Sequence, residues 1–209
     1  MELDPLSGKW LNKPSQCHLT EKKVIIETEP ETDFWQRSYY GFRNDNAPAL
    51  LFQSNDNFTL TTKVSFEYKK QFDQCGLIIY LDSNNWFKSS IEFEKENYSR
   101  LGSVVTNSGY SDWATCDISL PSEIWYRLNR RGPDFLIEYS FDGKLYNQMR
   151  IFHLNALGET TKAMGKANPP LPAQERIKFG FYACSPSDSS FRAEFTEFTL
   201  EPCKWLSMG

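Results

Sequence analysis

The strongest constraint on the fold of this chain is an alternating stretch at residues 85–96, NWFKSSIEFEKE. Phe87, Ile91 and Phe93 share one parity. Because side chains of a strand point to opposite faces in alternation, this stretch predicts a strand with one face in a core. The other face carries a row of ionisable and aromatic groups, formed by Trp86, Lys88, Ser90, Glu92, Glu94 and Glu96.

Similar strand signals recur along the chain. Residues 58–67 alternate and predict a half-buried strand, whereas residues 76–81, GLIIYL, are apolar on both parities and predict a central strand covered on both faces. About a dozen short strands without a convincing amphipathic helix predict an all-β fold, a sandwich of two antiparallel sheets. Two further inward-facing runs are Ile124, Tyr126 and Leu128, and Phe135, Ile137, Tyr139 and Phe141.

Local signals mark turns and irregularities. Asn44-Asp45-Asn46 predicts a turn, and Asp142-Gly143 predicts a hairpin turn. A parity slip between Phe195 and Phe198 predicts a β-bulge. Residues 155–174, rich in glycine and proline, predict a long loop excursion with one helical turn, and loops of this length are often mobile or functional.

Length and charge bound the class of protein. The 209 residues show no composition shift or repeat, so residues 1–209 are predicted to form a single β-sandwich domain. A net charge of −4 gives no reason to expect a nucleic acid or an anionic membrane as partner. No apolar run approaches the length of a membrane helix, and no secretory leader is visible, so we expect a soluble cytoplasmic protein.

Candidate metal and cofactor ligands are scarce. The five cysteines are widely spaced and never form a CxxC pair. His18 and His153 lack cysteine or carboxylate partners at ligand spacing, and the sequence has neither a phosphate loop nor a dinucleotide fingerprint. We therefore expect no metal, no cofactor and no disulfide framework, with the cysteines as buried small groups in a reducing compartment.

Several segments resemble one known family. The chain is similar to the concanavalin A-like domains of unknown function, in the lectin/glucanase superfamily, whose fungal members are called regulators of enolase. Related modules occur in some family 43 glycoside hydrolases. The resemblance extends over residues 33–200 and rests on DFWQRSYYGFRNDN (33–46), FDQCGLIIYLD (72–82), NWFKSSIE (85–92), LGSVVTNSGYSDWA (101–114), RRGPDFLIEYSFDG (130–143) and FGFYACSP (179–186), in the family's order.

The resemblance implies a jelly roll of two antiparallel sheets with one concave polar face. It implies little about activity, because the family is poorly characterised. Two departures from the family are visible. Ser90 stands where the family usually has glycine, and Ala47-Pro48 stands where it usually has Gly-His, so any role of that histidine is missing at this position.

The predicted concave face holds the main candidate binding site. Trp86, Lys88 and Glu92 share the outward parity, and the loop 107–113 adds further polar and aromatic groups. An aromatic plane beside charged hydrogen-bonding groups suits a sugar ring or a polar metabolite. The same residues could instead form a structural network, with Lys88 paired to Glu92. The full candidate ligand-binding set is Trp35, Arg37, Trp86, Lys88, Glu92, Tyr110, Asp112, Trp113 and Arg131.

Trp35 and Arg37, and separately Arg131, belong to that set for reasons of their own. Trp35 and Arg37 alternate with Asp33, as a strand entering the same groove would, although a salt-bridged edge explains them as well. Arg131 could clamp an anionic ligand together with Arg127, Arg130 and Asn129, whereas outward charges on a solvated sheet face are the simpler interpretation.

The carboxylates on the alternating strand also allow a catalytic hypothesis. Residues at i and i+2 of a strand lie roughly 6.6–6.8 Å apart. Glycoside hydrolases use two carboxyl groups separated by ~5–5.5 Å for retention or ~6.5–9.5 Å for inversion. Such a mechanism needs both partners in the groove, whereas Glu94 and Glu96 run into a turn and have the character of edge charges.

Three functions follow from these patterns. The leading hypothesis is a non-catalytic cytoplasmic module that binds a carbohydrate or polar metabolite in a concave groove, with no catalytic residues. The alternatives are a regulatory protein that contacts a metabolic enzyme such as enolase, and a glycoside hydrolase that uses Glu92. The deciding structural question is whether Lys88, Glu92 and Trp113 converge in an open groove or are capped by residues 155–174.

Overall fold

Residues 3–207, which the computed structural model describes, form sixteen strands, most of them in two antiparallel sheets packed face to face. The sheet that bears the candidate site is called the groove sheet. Its spatial order is β1 (Lys9–Leu11), β6 (Ala49–Ser54), β15 (Ile177–Cys184), β8 (Gln74–Asp82), β9 (Asn85–Lys95), β10 (Tyr98–Asn107) and β11 (Tyr110–Ile118).

The second sheet, called the back sheet, covers the other side of the core. Its spatial order is β14 (Asn147–His153), β13 (Asp134–Ser140), β12 (Glu123–Arg131), β7 (Phe58–Phe66), β16 (Arg192–Pro202), β3 (Lys23–Glu27) and β2 (Cys17–Thr20). A small hairpin of β4 (Phe34–Gln36) and β5 (Arg43–Asp45) lies outside both sheets. The helical segments are 3₁₀ turns at Pro5–Ser7 and Asn155–Leu157, and α1 at Lys162–Lys166.

The main core lies between the two sheets. Phe87 and Ile91 of β9 are fully buried there, as their parity predicted, and so are Tyr126 and Leu128 of β12. Burial of such side chains stabilises the sandwich by roughly 25 cal/mol for each Å² of apolar surface removed from water. Strand β9 therefore directs one apolar face into the core and its other face out of the sandwich.

Strand β8 stands at the centre of the groove sheet and is covered on both faces, which confirms the prediction from its apolar run. Leu77 and Ile79 join the main core. Ile78 and Tyr80 join a second apolar cluster on the outer face, together with Phe34 of the small hairpin. This second cluster attaches the hairpin to one end of the outer face.

Two turn predictions had different outcomes. At Asp142-Gly143 the turn is present, because the Asp142 carboxylate accepts the backbone N–H groups of Lys144 and Leu145 at 2.8 and 2.9 Å. The predicted turn at 44–46 is wrong, since Asn44 and Asp45 belong to β5. The chain instead reverses between β4 and β5, where the backbone takes positive φ at Arg37, Tyr39 and Gly41.

Two further sequence predictions concern Phe141 at the end of β13 and a bulge in β16. Phe141 was predicted to face inward, but β13 ends at Ser140 and the side chain of Phe141 is 47 % exposed. The predicted bulge in the last strand is confirmed by a register shift between Thr196 and Thr199 where β16 pairs with β7. Two residues lie inside the bulge, Glu197 and Phe198, and Glu197 has a positive φ of 51°.

The excursion at 155–174 packs against one end of the back sheet. It contains two helical segments where one was predicted, the 3₁₀ turn at Asn155–Leu157 and α1. Helix α1 is capped by the Thr161 hydroxyl, which accepts the Met164 N–H at 3.2 Å. Arg131 donates to the carbonyl oxygens of Met164 and Ala167 at 3.0 and 2.6 Å. Among residues 3–207, no helix is long and apolar enough to span a bilayer.

Candidate functional site

A groove of about 410 Å³ opens on the outer face of the groove sheet, beside the β4–β5 hairpin. Its volume falls within the range of roughly 300–1,000 Å³ typical of small-molecule sites. Residues 155–174 contribute none of its described lining, so the excursion does not cap it. The groove is lined by Asp33, Trp35, Tyr40, Phe42, Asn44, Phe72, Gln74, Lys88, Ser90, Glu92, Val104, Trp113, Pro186 and Ser187.

Sheet register explains why polar groups collect on the floor of this groove. Directly opposed residues on neighbouring antiparallel strands share one face of the sheet. Lys88 of β9 lies opposite Val104 of β10, which in turn lies opposite Trp113 of β11. Glu92 of β9 lies opposite Gln74 of β8. Two rows of the pairing pattern therefore deliver side chains distant in sequence to one surface.

The buried ammonium of Lys88 forms an ion pair with Asp33, not with Glu92 as the network hypothesis supposed. Lys88 Nζ lies 2.8 Å from Asp33 Oδ1, and the two side chains are 4 % and 13 % exposed. Burial, the largest single influence, disfavours the charge on Lys88, but the Asp33 carboxylate together with Cys184 and Glu92 outweighs it and leaves the pKa of Lys88 raised. Asp33 is itself oriented by the backbone N–H of Phe34, which donates to the same oxygen at 2.8 Å.

Glu92 is the unusual group on the floor. Its side chain is buried, and its Oε2 accepts a hydrogen bond from Gln74 Nε2 at 2.8 Å. Its Oε1 has no hydrogen-bond partner among the described residues. Burial raises the pKa of Glu92 to about 8, against the opposing effect of the Lys88 charge. At neutral pH the floor therefore presents a protonated carboxylic acid.

Gln74 determines which carboxyl oxygen of Glu92 remains without a hydrogen-bond partner. Gln74 Nε2 also donates to the Phe72 carbonyl oxygen at 3.3 Å, a group that can only accept, so the amide nitrogen of Gln74 lies on the side of Glu92. The hydroxyl of the buried Tyr182 donates to Gln74 Oε1 at 3.1 Å. The Gln74 N–H occupies Oε2 of Glu92 and requires this oxygen to act as an acceptor. The carboxyl proton of Glu92 therefore belongs on Oε1, the oxygen without a partner.

The rim of the groove is aromatic. Tyr40, Phe42, Phe72 and Trp113 are between 37 % and 54 % exposed, a high fraction for such large side chains. The Tyr40 and Phe42 rings stack with centroids 5.4 Å apart. Trp35 packs edge-on against Tyr40, also at 5.4 Å, and is itself nearly buried. Aromatic faces around a polar floor are suited to ligands with both apolar and hydrogen-bonding surfaces.

Two backbone features hold the rim in place. Tyr39 has a φ of 62°, an uncommon conformation for a bulky residue, and its side chain is 97 % exposed. This turn carries Tyr40 and Phe42 to the edge of the groove. Across the sheet, a Cβ on Gly102 would lie 3.0 Å from Trp113 Nε1, so the lack of a side chain at Gly102 lets the indole lie close to the sheet.

Four of the residues proposed from sequence line this groove together, namely Trp35, Lys88, Glu92 and Trp113. Trp86 does not line it. Its side chain has the expected parity but is fully buried beneath the β4–β5 hairpin, with its ring 5.7 Å from that of Phe34. It supports the site from below and leaves no ring face for a ligand.

Four other candidates lie outside the lining. The guanidinium of Arg37 stands 5.6 Å from the ring of Tyr110 and donates to the Gly109 carbonyl, at the tip of the β10–β11 hairpin. Asp112 is exposed and forms an ion pair with Arg150 at 2.6 Å. Arg131 lies at the end of the back sheet, where its guanidinium donates to main-chain carbonyls.

The structure also adds a residue that the parity argument did not select. Gln74 stands in a segment that carries the family resemblance, but nothing local marks it as a neighbour of Glu92, whereas Asp33 was already placed near the groove by its alternation with Trp35 and Arg37. Glu94, expected at the sheet edge, is instead buried, and its carboxylate lies 3.1 Å from Arg100 Nη1. The second carboxyl group of the groove is therefore Asp33, not Glu94.

Metal-ligating groups do not gather in the described part of the chain. No set of three or more His, Cys, Asp or Glu side chains between residues 3 and 207 is arranged to hold a metal ion. All five cysteines are free, with Cys75 and Cys184 buried.

Comparisons with known proteins give the chain a family and a fold. A family model described as "Protein of unknown function (DUF1349)" matches residues 10–203. "Regulation of enolase protein 1" of Saccharomyces cerevisiae is 29 % identical over 194 residues, which are 92 % of this chain and 88 % of that protein.

Solved structures agree with this match. The crystal structure of a functionally unknown protein from Saccharomyces cerevisiae superposes with a TM-score of 0.80 and 28 % identity over 96 % of this chain and 98 % of that one. The GH43 protein BlXynB of Bacillus licheniformis gives a TM-score of 0.63 and 15 % identity over 86 % of this chain and 32 % of that protein. The second likeness concerns the fold alone, and it confirms the predicted all-β jelly-roll sandwich.

Proposed function

We propose that this chain, which belongs to the DUF1349 family of proteins of unknown function, is a non-catalytic binding module whose groove takes a carbohydrate or another polar metabolite. We also propose a cytoplasmic location, in keeping with its five free cysteines. The match of the family model to residues 10–203 confirms the family resemblance found in the sequence. The binding role is our own proposal.

One observation carries the proposal: exposed aromatic rings surround a buried polar floor that has an unused hydrogen-bonding atom. Exposed aromatic clusters on a protein surface often mark interaction sites. A buried carboxyl oxygen without a partner is costly, and a ligand hydroxyl would satisfy it. Ligand binding in the groove would thus account both for the exposed aromatic rim and for the unpartnered carboxyl oxygen on the floor.

The charges of the groove favour binding over hydrolysis. A hydrolase with two carboxyl groups needs one proton donor and one free carboxylate that attacks the sugar or activates water. Glu92 fits the role of the donor, but the Asp33 carboxylate is already engaged by Lys88 at 2.8 Å. If purified protein hydrolysed oligosaccharides and Glu92→Gln abolished this activity, the hydrolase alternative would replace the binding proposal.

A pair of phenylalanines tests the binding proposal directly. Phe42 on the groove rim is 45 % exposed and stacks on Tyr40, whereas Phe141 on the β13–β14 turn is 47 % exposed and packs against Tyr139. We expect Phe42→Ala to weaken ligand binding at least several-fold and Phe141→Ala to leave it unchanged. Isothermal titration or ligand-observed NMR with a panel of sugars and polar metabolites would measure this.

The outcomes of that test are distinct. Binding that Phe42→Ala weakens and Phe141→Ala spares supports the groove as the site. Binding that both variants leave intact moves the site elsewhere. A complete absence of binding across sugars, polyols and polar metabolites overturns the proposal.

A second candidate function is regulation through contact with a metabolic enzyme. It is favoured by the name of the yeast relative and by the almost fully exposed ring of Tyr39 beside Tyr40. In this case we expect purified enolase to bind the chain and Tyr39→Ala to weaken the complex. Enolase added at tens of micromolar without a change in sedimentation would count against it.

A further inference from the structure

Resting on the proposed binding role, we infer that the groove selects an uncharged, hydroxyl-rich ligand, and that Glu92 donates its carboxyl proton to one ligand hydroxyl. The chemical class is a neutral sugar ring or polyol, in preference to a sugar acid, a sugar phosphate or an organic cation. Glu92 acts here as a specificity residue, and its protonation makes the site sensitive to pH.

The charge balance of the lining is the first support. Only three of the lining residues have side chains that can carry a charge at acid or neutral pH, namely Asp33, Lys88 and Glu92. The charges of Asp33 and Lys88 cancel within one ion pair at 2.8 Å. A protonated Glu92 adds no charge, so the floor is neutral. An anion would find no free cation, and an organic cation would find no free carboxylate.

The hydrogen-bonding pattern is the second support. Gln74 occupies Oε2 of Glu92 with an N–H, and Oε1 is left without a partner among the described residues. A carboxylic acid with its proton on Oε1 needs an acceptor, and a neutral hydroxyl oxygen is one. A ligand carboxylate or phosphate could also accept, but it would bring an uncompensated negative charge into the buried floor.

The rim completes the complementarity. A sugar ring has C–H faces that pack on aromatic planes and hydroxyl groups at its edge. Trp113 and the stacked pair Tyr40 and Phe42 supply such planes on the rim. Lys88, Ser90 and Glu92 follow one another on the same face of β9 and form a line of polar contacts on the floor.

The pH dependence has a defined sign. Glu92 loses its proton as the pH rises through about 8, and the floor then acquires a negative charge and loses a donor. Binding of a neutral polyol should therefore weaken at alkaline pH, and binding of an organic cation should strengthen. The ionisable groups that act on Glu92 from the surrounding elements are Lys88 and Glu94 on β9, Asp33 before β4, Arg100 on β10, Cys184 on β15 and Tyr68 after β7.

Matched probes test the selectivity. We would titrate the intact chain with glucose, xylose, galactose and inositol, and then with glucuronate, a hexose phosphate and choline at the same pH and salt concentration. The inference expects neutral probes to bind at least tenfold more tightly than their acidic counterparts. Tighter binding of glucuronate than of glucose, or of choline than of any polyol, would overturn it.

A conservative variant tests the role of Glu92. At about pH 9 we expect binding of the best neutral probe to be roughly tenfold weaker than at about pH 6, because one proton is linked to binding. Glu92→Gln supplies an N–H at the same place at every pH, so it should retain binding and lose the pH dependence. Glu92→Leu should lose binding. The exposed Glu96, near the end of the same strand, provides the control Glu96→Gln, which should behave as wild type.

Failure of this inference can be told apart from failure of the binding proposal. If no probe binds, the binding proposal itself fails. If a probe binds in the groove, as judged by Phe42→Ala, but the pH profile is the same in wild type and Glu92→Gln, the groove remains a binding site and Glu92 is not its proton donor. Thermal unfolding of each variant separates lost binding from lost folding.

Discussion

Two clusters of buried charge stand at different places in this sandwich, and they differ in how completely their hydrogen bonds are satisfied. At the end of the back sheet, Arg130 and Arg131 are almost fully buried. Burial lowers the pKa of Arg130 to about 10, so its charge persists at neutral pH. The two guanidinium groups donate to main-chain carbonyl oxygens of Ser54, Asp56, Gly132, Met164, Ala167, Glu175 and Trp205.

In the groove, the floor formed by Asp33, Lys88 and Glu92 is buried to a similar degree but is not saturated. One carboxyl oxygen of Glu92 is buried without a described partner, and Glu92 is part of the groove lining. A saturated cluster that joins several loops stabilises the fold, whereas we propose that the unsaturated cluster under the aromatic rim receives a ligand. Sequence parity placed both Arg131 and Glu92 among the candidate ligand-binding residues, and their hydrogen-bond partners distinguish them.

The largest effect that tests this contrast is expected at Arg130. Arg130→Met should destabilise the fold by about 4–5 kcal/mol, because four main-chain carbonyls in buried or part-buried hydrogen bonds lose their donor at once. Ligand binding by the remaining folded protein should be unchanged. Chemical denaturation measures the loss, and Arg176→Met is the control, since the exposed Arg176 donates only to side chains of surface residues. Equal stability of the two variants would contradict the view that the hydrogen-bonded arginine cluster stabilises the fold.

The next effect is expected at Lys88. Lys88→Met leaves the Asp33 carboxylate buried without its partner and should cost about 3–4 kcal/mol. The double variant Lys88→Met, Asp33→Asn should recover part of that loss. Lys23 and Glu194 form an ion pair of the same length, 2.8 Å, with side chains that are 39 % and 25 % exposed. Lys23→Met should therefore cost less than about 1 kcal/mol in the same denaturation assay.

A pH-dependent effect is expected at Glu92. Its pKa in the folded state, about 8, lies above the ordinary value of 4.5, so the folded state retains a proton that the unfolded state loses between these pH values. Stability must then fall as the pH rises through that window. Glu92→Gln does not titrate, and its stability relative to wild type should improve by about 2–3 kcal/mol between about pH 5 and about pH 7.

Denaturation curves at several pH values would measure this effect, with Glu96→Gln as the matched control. A flat difference between Glu92→Gln and wild type would mean that Glu92 is ionised in the folded state. The neutral floor, and with it the contrast between the two clusters, would then need revision.

The smallest effect on stability is expected at the groove rim. Phe42→Ala and Phe141→Ala remove rings of nearly equal exposure, and each should change the free energy of unfolding by less than about 1 kcal/mol. Only Phe42→Ala should change binding. A large loss of stability from Phe42→Ala alone would show that the rim serves the fold, and would weaken the distinction between a site and a scaffold.

Much of the fold was predictable because its signals are local. The continuous apolar run of β8, the alternation of β9 and β12, and the parity slip in β16 are short-range patterns that need no knowledge of distant residues. The turn between β4 and β5 was misplaced because asparagine and aspartate favour turns but are tolerated in short edge strands. The true reversal places Arg37 and Tyr39 at positive φ, which their residue types do not indicate.

The sequence by itself determined that Lys88 and Glu92 face away from the core, because alternation in a strand leaves no other arrangement. Only the tertiary structure decided that Lys88 pairs with Asp33, that Gln74 holds one oxygen of Glu92, and that Trp86 is buried beneath a hairpin. Asp33 lies 55 positions before Lys88, and Gln74 lies on a neighbouring strand. Such contacts depend on strand register and on the path of distant loops, which local patterns do not encode.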